Sequence, residues 1–425
     1  MRKSTLALLG GKPIRSTPFP RWPIFGKEER AALLKVFSSG TWGIGGFHIQ
    51  EFQERFAGLH GTQYGIAVMN GTVSLEIALK AGRVGEGDEV IIPPYTFAAT
   101  ATAVLNANAI PVFADIDPEN YCIDPNRIRE VITPRTKAII PVHLAGHPAD
   151  MDAIMEIAGE HKLIVIEDAA HAHFAEWRER PVGSLGHMAS FSFQSSKNMT
   201  AGEGGIIVTN DADLAERCWS YHNSGRARNG EWYHHPYLGG NCRMTEFQAS
   251  LLLAQLPRAQ KRSHLRQRNA QYLAAKLSQL PGIAPLNPDP RVTRHGYHLF
   301  VLKYDMGRLS GVPRSIFLSA LAAEGIPASG GYVPLYKEGF LAEAKAFTLK
   351  TPAFLDRDYS KSVCPETEKA SKEGIWLPQN LLLGSRKDMD DVVGAFQKVI
   401  ENSETLFSLK TEARAREGAV ILATK

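Results

Sequence analysis

Cysteine is scarce. The chain has four in 425 residues, Cys122, Cys218, Cys242 and Cys364, far apart and with no C-x-x-C pair, so neither a zinc ribbon nor a disulfide framework is expected. Long apolar runs are missing as well. No segment approaches the ~18 consecutive apolar residues of a membrane helix, and Leu6-Ala7-Leu8-Leu9 is too short for a signal-peptide core. The expectation is a soluble, cytoplasmic protein without a membrane partner. Neither sign of charge dominates: 48 Lys and Arg face 44 Asp and Glu, a net +4, with no basic run. That leaves no footprint for nucleic acid. Three chemistries also lack their motif. His171-Ala172-His173, with His143 and His147, has no third ligand at diagnostic spacing, so no metal is expected. No Lys-Ser/Thr pair follows Gly202-Glu203-Gly204-Gly205, which fails as a Walker loop, and no G-x-S-x-G elbow is present.

What the chain does have is room for a large core and a regular alternation of elements. It is 44% hydrophobic and 22% charged, enough for a big and a small domain. Residues 1–24 are rich in Pro and Gly and read as an arm over the body or a partner. Glu28–Ser38 is helical in pattern, and Phe52, Phe56 and Leu59 mark one apolar face of a second helix. From residue 88 onward, short β-rich runs recur at Val90–Ile92, Pro111–Ala114, Ala138–Val142, Leu163–Ile166, Ser190–Phe193 and Ile206–Thr209. Helical segments such as Asp150–His161 separate some of them, which predicts an α/β fold with a mostly parallel sheet. Thr245-Glu246-Phe247-Gln248 reads as a capping box opening a long helix that Pro257 should kink. Asn287-Pro288-Asp289-Pro290 marks a crossover. The expected division is an arm (1–24), a large domain (25–286), a small α+β domain (287–402) with a strand at Tyr297–Tyr304 and a last helix at Asp388–Asn402, and a tail (403–425) without a clear signal.

Lys197 lies in S-F-S-F-Q-S-S-K-N-M-T-A-G-E-G-G-I-I-V-T-N, residues 190–210, between two β-rich runs. Burial there lowers the ammonium pKa from about 10.4 and leaves an amine able to attack a carbonyl. A Schiff base with pyridoxal phosphate has that requirement. A plain loop lysine beside a glycine turn fits the same run, so other residues must decide. Asp168 closes the apolar run Leu163–Asp168 and suits a pyridinium nitrogen, or else caps a helix after the strand. Asn70-Gly71-Thr72 precedes a helical stretch whose N-terminal N–H groups suit a phosphate, or is simply a helix cap. Ser192 adds a hydroxyl.

Together, N-G-T (70–72), P-P-Y-T-F-A-A-T (93–100), V-I-E-D-A-A-H-A (165–172), S-F-Q-S-S-K-N-M-T-A-G-E-G-G (192–205) and G-G-N-C-R-M-T-E-F-Q-A-S (239–250) stand in a telling order. The chain resembles, over roughly residues 10–400, the pyridoxal phosphate-dependent, fold-type I sugar aminotransferases of the DegT/DnrJ/StrS family. The resemblance implies a seven-stranded, mostly parallel sheet in the large domain. It implies that Lys197 carries the internal aldimine, Asp168 pairs with the pyridine nitrogen, Phe97 stacks on one ring face and His171 lies near the cofactor. Gly71, Thr72 and Ser192 would hold the phosphate, with Asn241 reaching it from the neighbouring subunit of a homodimer. The aromatic and His-rich loop Trp232–Pro236 is as expected for packing on a partner or ligand.

Two activities compete on this fold. A transaminase would move an amino group from glutamine or glutamate to a keto-sugar or keto-cyclitol. A dehydratase, or an inert binding module, is the alternative; related sugar dehydratases typically replace the lysine by His. Keeping both Lys197 and Asp168 favours transamination. Many members carry H-Y-x-P-L-H in the small domain, whereas this chain has Gly331-Tyr332-Val333-Pro334-Leu335-Tyr336, without either histidine. Phe193-Gln194, residues 223–228 and Trp376–Gly384 look more like the 3-amino-5-hydroxybenzoate synthases, with their dehydrating and aromatising chemistry, and the glutamine:scyllo-inosose aminotransferases. Arg226, Arg228 and Arg243 are candidates for the donor's carboxylate, with Tyr332 as a further substrate residue. Each arginine also reads as a surface residue of a polar loop.

Overall fold

β-branched runs with no polar face need paired edges and cover on both sides; five of the six such runs are interior strands of one sheet, and the sixth, at Ile110–Phe113, closes its edge. The computed structural model describes residues 4–408 other than 229, 230, 232 and 348. Trp232 and residues 409–425 of the tail thus lie outside the described residues. Seven strands form one sheet in the order Tyr64–Val68, Gly205–Thr209, Met188–Ser192, Ile164–Asp168, Thr136–Ile139, Glu89–Ile92, Ile110–Phe113. The last five of these are mutually parallel, while Gly205–Thr209 runs antiparallel to both its neighbours. Val142 extends the Thr136–Ile139 strand as a bridge to Asp168.

Alternate residues of each strand feed two cores. Ile91, Val165 and Phe191 join Phe52, Phe56, Ile154 and Leu252 on one face. Val90, Ile92 and Ile207 join Leu75, Leu79 and Val104 on the other. The second face holds the Gly71–Ala81 helix, which packs on the Met188–Ser192 and Gly205–Thr209 strands. Tyr64–Val68 is the strand that the sequence reading did not expect.

The capping box at Thr245 and Gln248 forms, and the helix it opens runs as one element from Glu246 to Leu277. Pro257 lies inside it and does not interrupt it. Its ring is exposed, and buried Leu253, Leu256 and Ala259 hold both halves of the helix against the body.

A second, antiparallel sheet has the order Ile283–Pro285, Leu299–Tyr304, Gly374–Pro378, Ser329–Gly330. Its central strand begins at Leu299 instead of Tyr297. Tyr297 takes a left-handed φ of 46°, and the Gly296 and His298 N–H groups turn to donate to the carbonyls of Gly146 and Ala145, at 2.8 Å each. That pins the strand's start to the first sheet's loops. A third core, with Leu302, Phe317, Leu377 and Phe396, takes in Leu6 and Phe19 from the arm. The arm therefore lies over this chain's own body. Arg15 ties it down, donating to Asp388 at 2.6 Å and Asp391 at 2.8 Å.

Candidate active site

The carboxyl ends of parallel strands are where an open α/β sheet leaves a crevice. Here Asp168 and Ser192 are the last residues of adjacent strands. They face a cavity of about 890 Å³. Lys197 enters it from the loop between Ser192 and Gly205, where its N–H closes a turn on the Gln194 carbonyl at 2.9 Å. Gly202 and Gly204, at φ 83° and 158°, return the chain to the next strand in conformations that disfavour other residues.

Asp168 is buried, and two donors hold it. Thr100 Oγ1 donates to Oδ2 at 2.9 Å, and the Ala170 N–H donates to Oδ1 at 3.2 Å. Residues 169–175 form turns, so the alternative of a helix cap does not hold. Burial raises the Asp168 pKa, against the hydrogen bonds and the nearby charge of Lys197. Burial likewise lowers Lys197 to about 8, with Asp168 opposing the shift. An acid and an amine thus share one cavity, each made less willing to carry charge by burial.

His171 accepts a hydrogen bond at Nδ1 from the Ala145 N–H, at 3.2 Å, and its ring packs on His298 with centroids 4.3 Å apart. Burial first, then repulsion from nearby cations, holds both rings well below the usual histidine pKa. They are neutral. Neighbouring Glu167 points to the opposite face, where His143 at 2.9 Å and the N–H groups of Gly183, Leu185 and Gly186 saturate it.

The Gly71–Ala81 helix presents its N-terminus to the same cavity. Asn70 is the cap, its Oδ1 accepting from the Val73 N–H at 2.9 Å. Thr72 is therefore free of that duty and lines the cavity with Gly71. A Cβ on Gly71 would come within 2.8 Å of Ser192 Cβ, so only glycine lets the helix end approach the strand this closely. Free N–H groups, a helix dipole and the Ser192 hydroxyl converge there, an arrangement suited to a dianion.

The family model for DegT/DnrJ/EryC1/StrS aminotransferases matches residues 23–397. The chain belongs to this family. It is an aminotransferase. It is 41% identical, over 95% of its length and 99% of the relative's, to a Streptoalloteichus tenebrarius protein assigned by its name to the L-glutamine:3-amino-2,3-dideoxy-scyllo-inosose aminotransferases. It is 34% identical to the L-glutamine:2-deoxy-scyllo-inosose aminotransferase of Streptomyces fradiae, over 95% and 99% of the two chains. The crystal structure of 3-amino-5-hydroxybenzoic acid synthase superposes with a TM-score of 0.82 at 32% identity, covering 92% of this chain and all of that one.

The aminotransferase brings most of the expected residues together. Lys197, Asp168, Gly71, Thr72, Ser192, His171, Phe97 and Tyr332 all line the cavity. Phe97 is largely exposed and tilts against Tyr332 with centroids 6.4 Å apart. Asn241, Arg226, Arg228 and Arg243 are not among the lining residues. Asn241 is exposed and bridges Asn223. Arg243 donates to Asn223 Oδ1 at 2.8 Å, and Arg228 pairs with Glu216 at 3.0 Å. Arg226, half-buried, precedes both in the chain. Several lining residues had no role in the sequence reading: Thr100's neighbour Thr96, Trp22 from the arm, His298, Gln379 and Asn380. They come from segments remote in sequence, and only folding shows that they meet.

Proposed function

We propose that this aminotransferase uses pyridoxal phosphate to move the amino group of glutamine onto a keto-cyclitol. The observation that carries the cofactor is the Lys197–Asp168 pair in one cavity with a helix N-terminus, a donor set that fits the cofactor's carbonyl, ring nitrogen and phosphate. The substrate class follows from the wall and from the relatives. Among the described residues of this chain that line the cavity, Lys197 is the only Lys or Arg, so the chain's own wall offers the diphosphate of a nucleotide-linked sugar no cation beyond the one assigned to the cofactor. The named relatives act, by their names, on scyllo-inosose derivatives with glutamine as donor.

When bound, the cofactor supplies an electrophilic carbonyl carbon and an electron-withdrawing ring. The chain's own residues do the rest. Lys197 Nζ, neutral in part near pH 8, would hold the cofactor at that carbon and, once the amino donor displaced it there, would serve as the base that moves a proton off the donor's α-carbon. Asp168, oriented by Thr100, would hold a proton at the ring nitrogen. The Gly71 and Thr72 N–H groups with Ser192 Oγ would hold the phosphate, and Phe97 and neutral His171 would lie against the ring. Retention of Lys197 argues against a dehydratase of this fold.

The protein is further proposed to be a homodimer in which Asn241 and the arginines of its segment serve the other subunit's site. Their position outside this chain's own cavity supports that, with Asn241 and Arg228 exposed and Arg226 and Arg243 half-buried. So do Leu34, Phe37, Trp42, Ile44 and Phe47, exposed apolar side chains in one short segment. Residues 25–286 would carry the cofactor and residues 287–402 close the site. Three buried free thiols, Cys122, Cys218 and Cys364, suit a reducing cytoplasm.

A half-reaction screen tests the reading. Holoenzyme mixed with glutamine should lose the visible absorbance of the lysine-bound cofactor, and scyllo-inosose should restore it. Loss with neither glutamine nor glutamate, or recovery only with a nucleotide-linked keto-sugar, overturns it.

A further inference from the structure

The cavity wall carries side-chain amides whose orientations are forced, two from the Gln379-Asn380 segment and one from the lysine loop. Gln379 Oε1 accepts two bonds from Arg266, from Nε at 2.9 Å and from Nη2. A guanidinium only donates, so the oxygen must face it and the Gln379 NH₂ must turn the other way. Gln194 is held similarly: its Oε1 accepts from the Ser196 N–H at 2.9 Å and Oγ at 2.8 Å. Asn380 is set in the opposite sense, its Nδ2 donating to the Pro20 carbonyl at 2.8 Å and leaving its oxygen over. All three line the cavity. Trp22 joins them from the arm, its indole N–H used on the Ser195 carbonyl at 3.0 Å.

We propose that Gln379, Gln194, Asn380 and Trp22 form the subsite that recognises the hydroxylated ring of the keto acceptor, with Arg266 as a positioning residue behind Gln379. This rests on the keto-cyclitol reading above. Two amide donors and one amide acceptor, none charged, match hydroxyl groups, which each donate once and accept twice. A flat indole offers an apolar surface to the ring's C–H face. The amino donor's carboxylate would call for a cation, and this wall presents none.

Arg266 is otherwise hard to account for. It is fully buried on the Glu246–Leu277 helix, forms no ion pair among the described residues, and has only Gln379 and the Trp22 ring, 5.4 Å away, to cover its charge. An uncompensated buried guanidinium is costly. Fixing the amide of a substrate-facing glutamine is a return for that cost, and it ties the arm to the same device.

Gln379→Glu separates this role from a structural one. The carboxylate is isosteric and would pair with Arg266 better than the amide does, so the fold is kept, but the NH₂ donor facing the cavity is lost. Holoenzyme of wild type, Gln379→Glu, Arg266→Lys and the double variant is assayed with glutamine and scyllo-inosose. Binding of scyllo-inositol, which has the hydroxyls and no keto group, is followed in parallel by tryptophan fluorescence. The KM for scyllo-inosose should rise about tenfold relative to that for glutamine in Gln379→Glu, the worth of one lost hydrogen bond, with a matching loss of scyllo-inositol affinity. Arg266→Lys should show a smaller shift in the same direction, and the double variant no more than Gln379→Glu alone. Wild-type values in Gln379→Glu for both measurements, or equal rises in both KM values, would overturn the subsite. A wild type that turns over no keto-cyclitol overturns the functional reading instead. The subsite then stands or falls on scyllo-inositol binding, and a wild type that does not bind it refutes the subsite.

Discussion

Lys197 shows how one residue's environment can be tested apart from turnover. Its amine is lowered from 10.5 to about 8 by burial, against the pull of Asp168. A lysine whose folded pKa lies below its unfolded one destabilises the fold where both states are protonated. That penalty is full below pH 8, shrinks between 8 and 10.5, and is gone above. Cofactor-free Lys197→Met should therefore be more stable than cofactor-free wild type at pH 7, by ~2 kcal/mol after allowance for the lysine's opening to the cavity. The gap should close as pH approaches 10.5, as read from urea unfolding at a series of pH values. An advantage independent of pH would mean that the amine is not desolvated. Lys197 and Asp168 were legible because each ends or follows a strongly β-forming run, which fixes where the side chain emerges. Gln379 and Trp22 were not, since nothing local tells that residues over 350 positions apart will share a wall.

Among the elements, the strands with Val, Ile and Leu on both faces were found within three residues of their ends, burial on both sides leaving them little polar pattern to mislead. Tyr64-Gly65-Ile66-Ala67-Val68 escaped because Gly65 and Ala67 dilute its β signal. Gly65 is there for packing: a Cβ would sit 2.7 Å from the Gln53 carbonyl oxygen of the adjoining helix. The two- and three-residue strands of the second sheet are too short to carry a period at all. The Gly71–Ala81 helix was legible as an element, but the closeness of its N-terminus to Ser192 was not. That closeness is a testable property. Gly71→Ala should push the helix end from the strand and weaken pyridoxal phosphate binding to cofactor-free enzyme about tenfold or more, with the fold retained, as measured by equilibrium dialysis. Unchanged affinity would remove the helix N-terminus from the phosphate site.

At the scale of the molecule, the arm, the two sheets and the Gly71–Ala81 helix all contribute to one cavity, yet the segment holding Asn241 and three candidate arginines lies outside it. A shared site in a homodimer reconciles this. Lys197→Ala and Asn241→Asp, each dead alone, would then complement. On subunit exchange about half of the dimers are mixed, and each has one site with neither lesion, so activity should return to about a quarter of wild type. No recovery under conditions where exchange is demonstrated would refute the shared site.

The claim on which all of this depends is that Lys197 is the residue bonded to the cofactor. Borohydride reduction of the holoenzyme, followed by proteolysis and mass spectrometry of the peptides, measures it directly. A pyridoxyl group on the peptide carrying Lys197, and on no other lysine, is the expected result; a label at any other lysine, or no label in a fully active enzyme, would contradict the account.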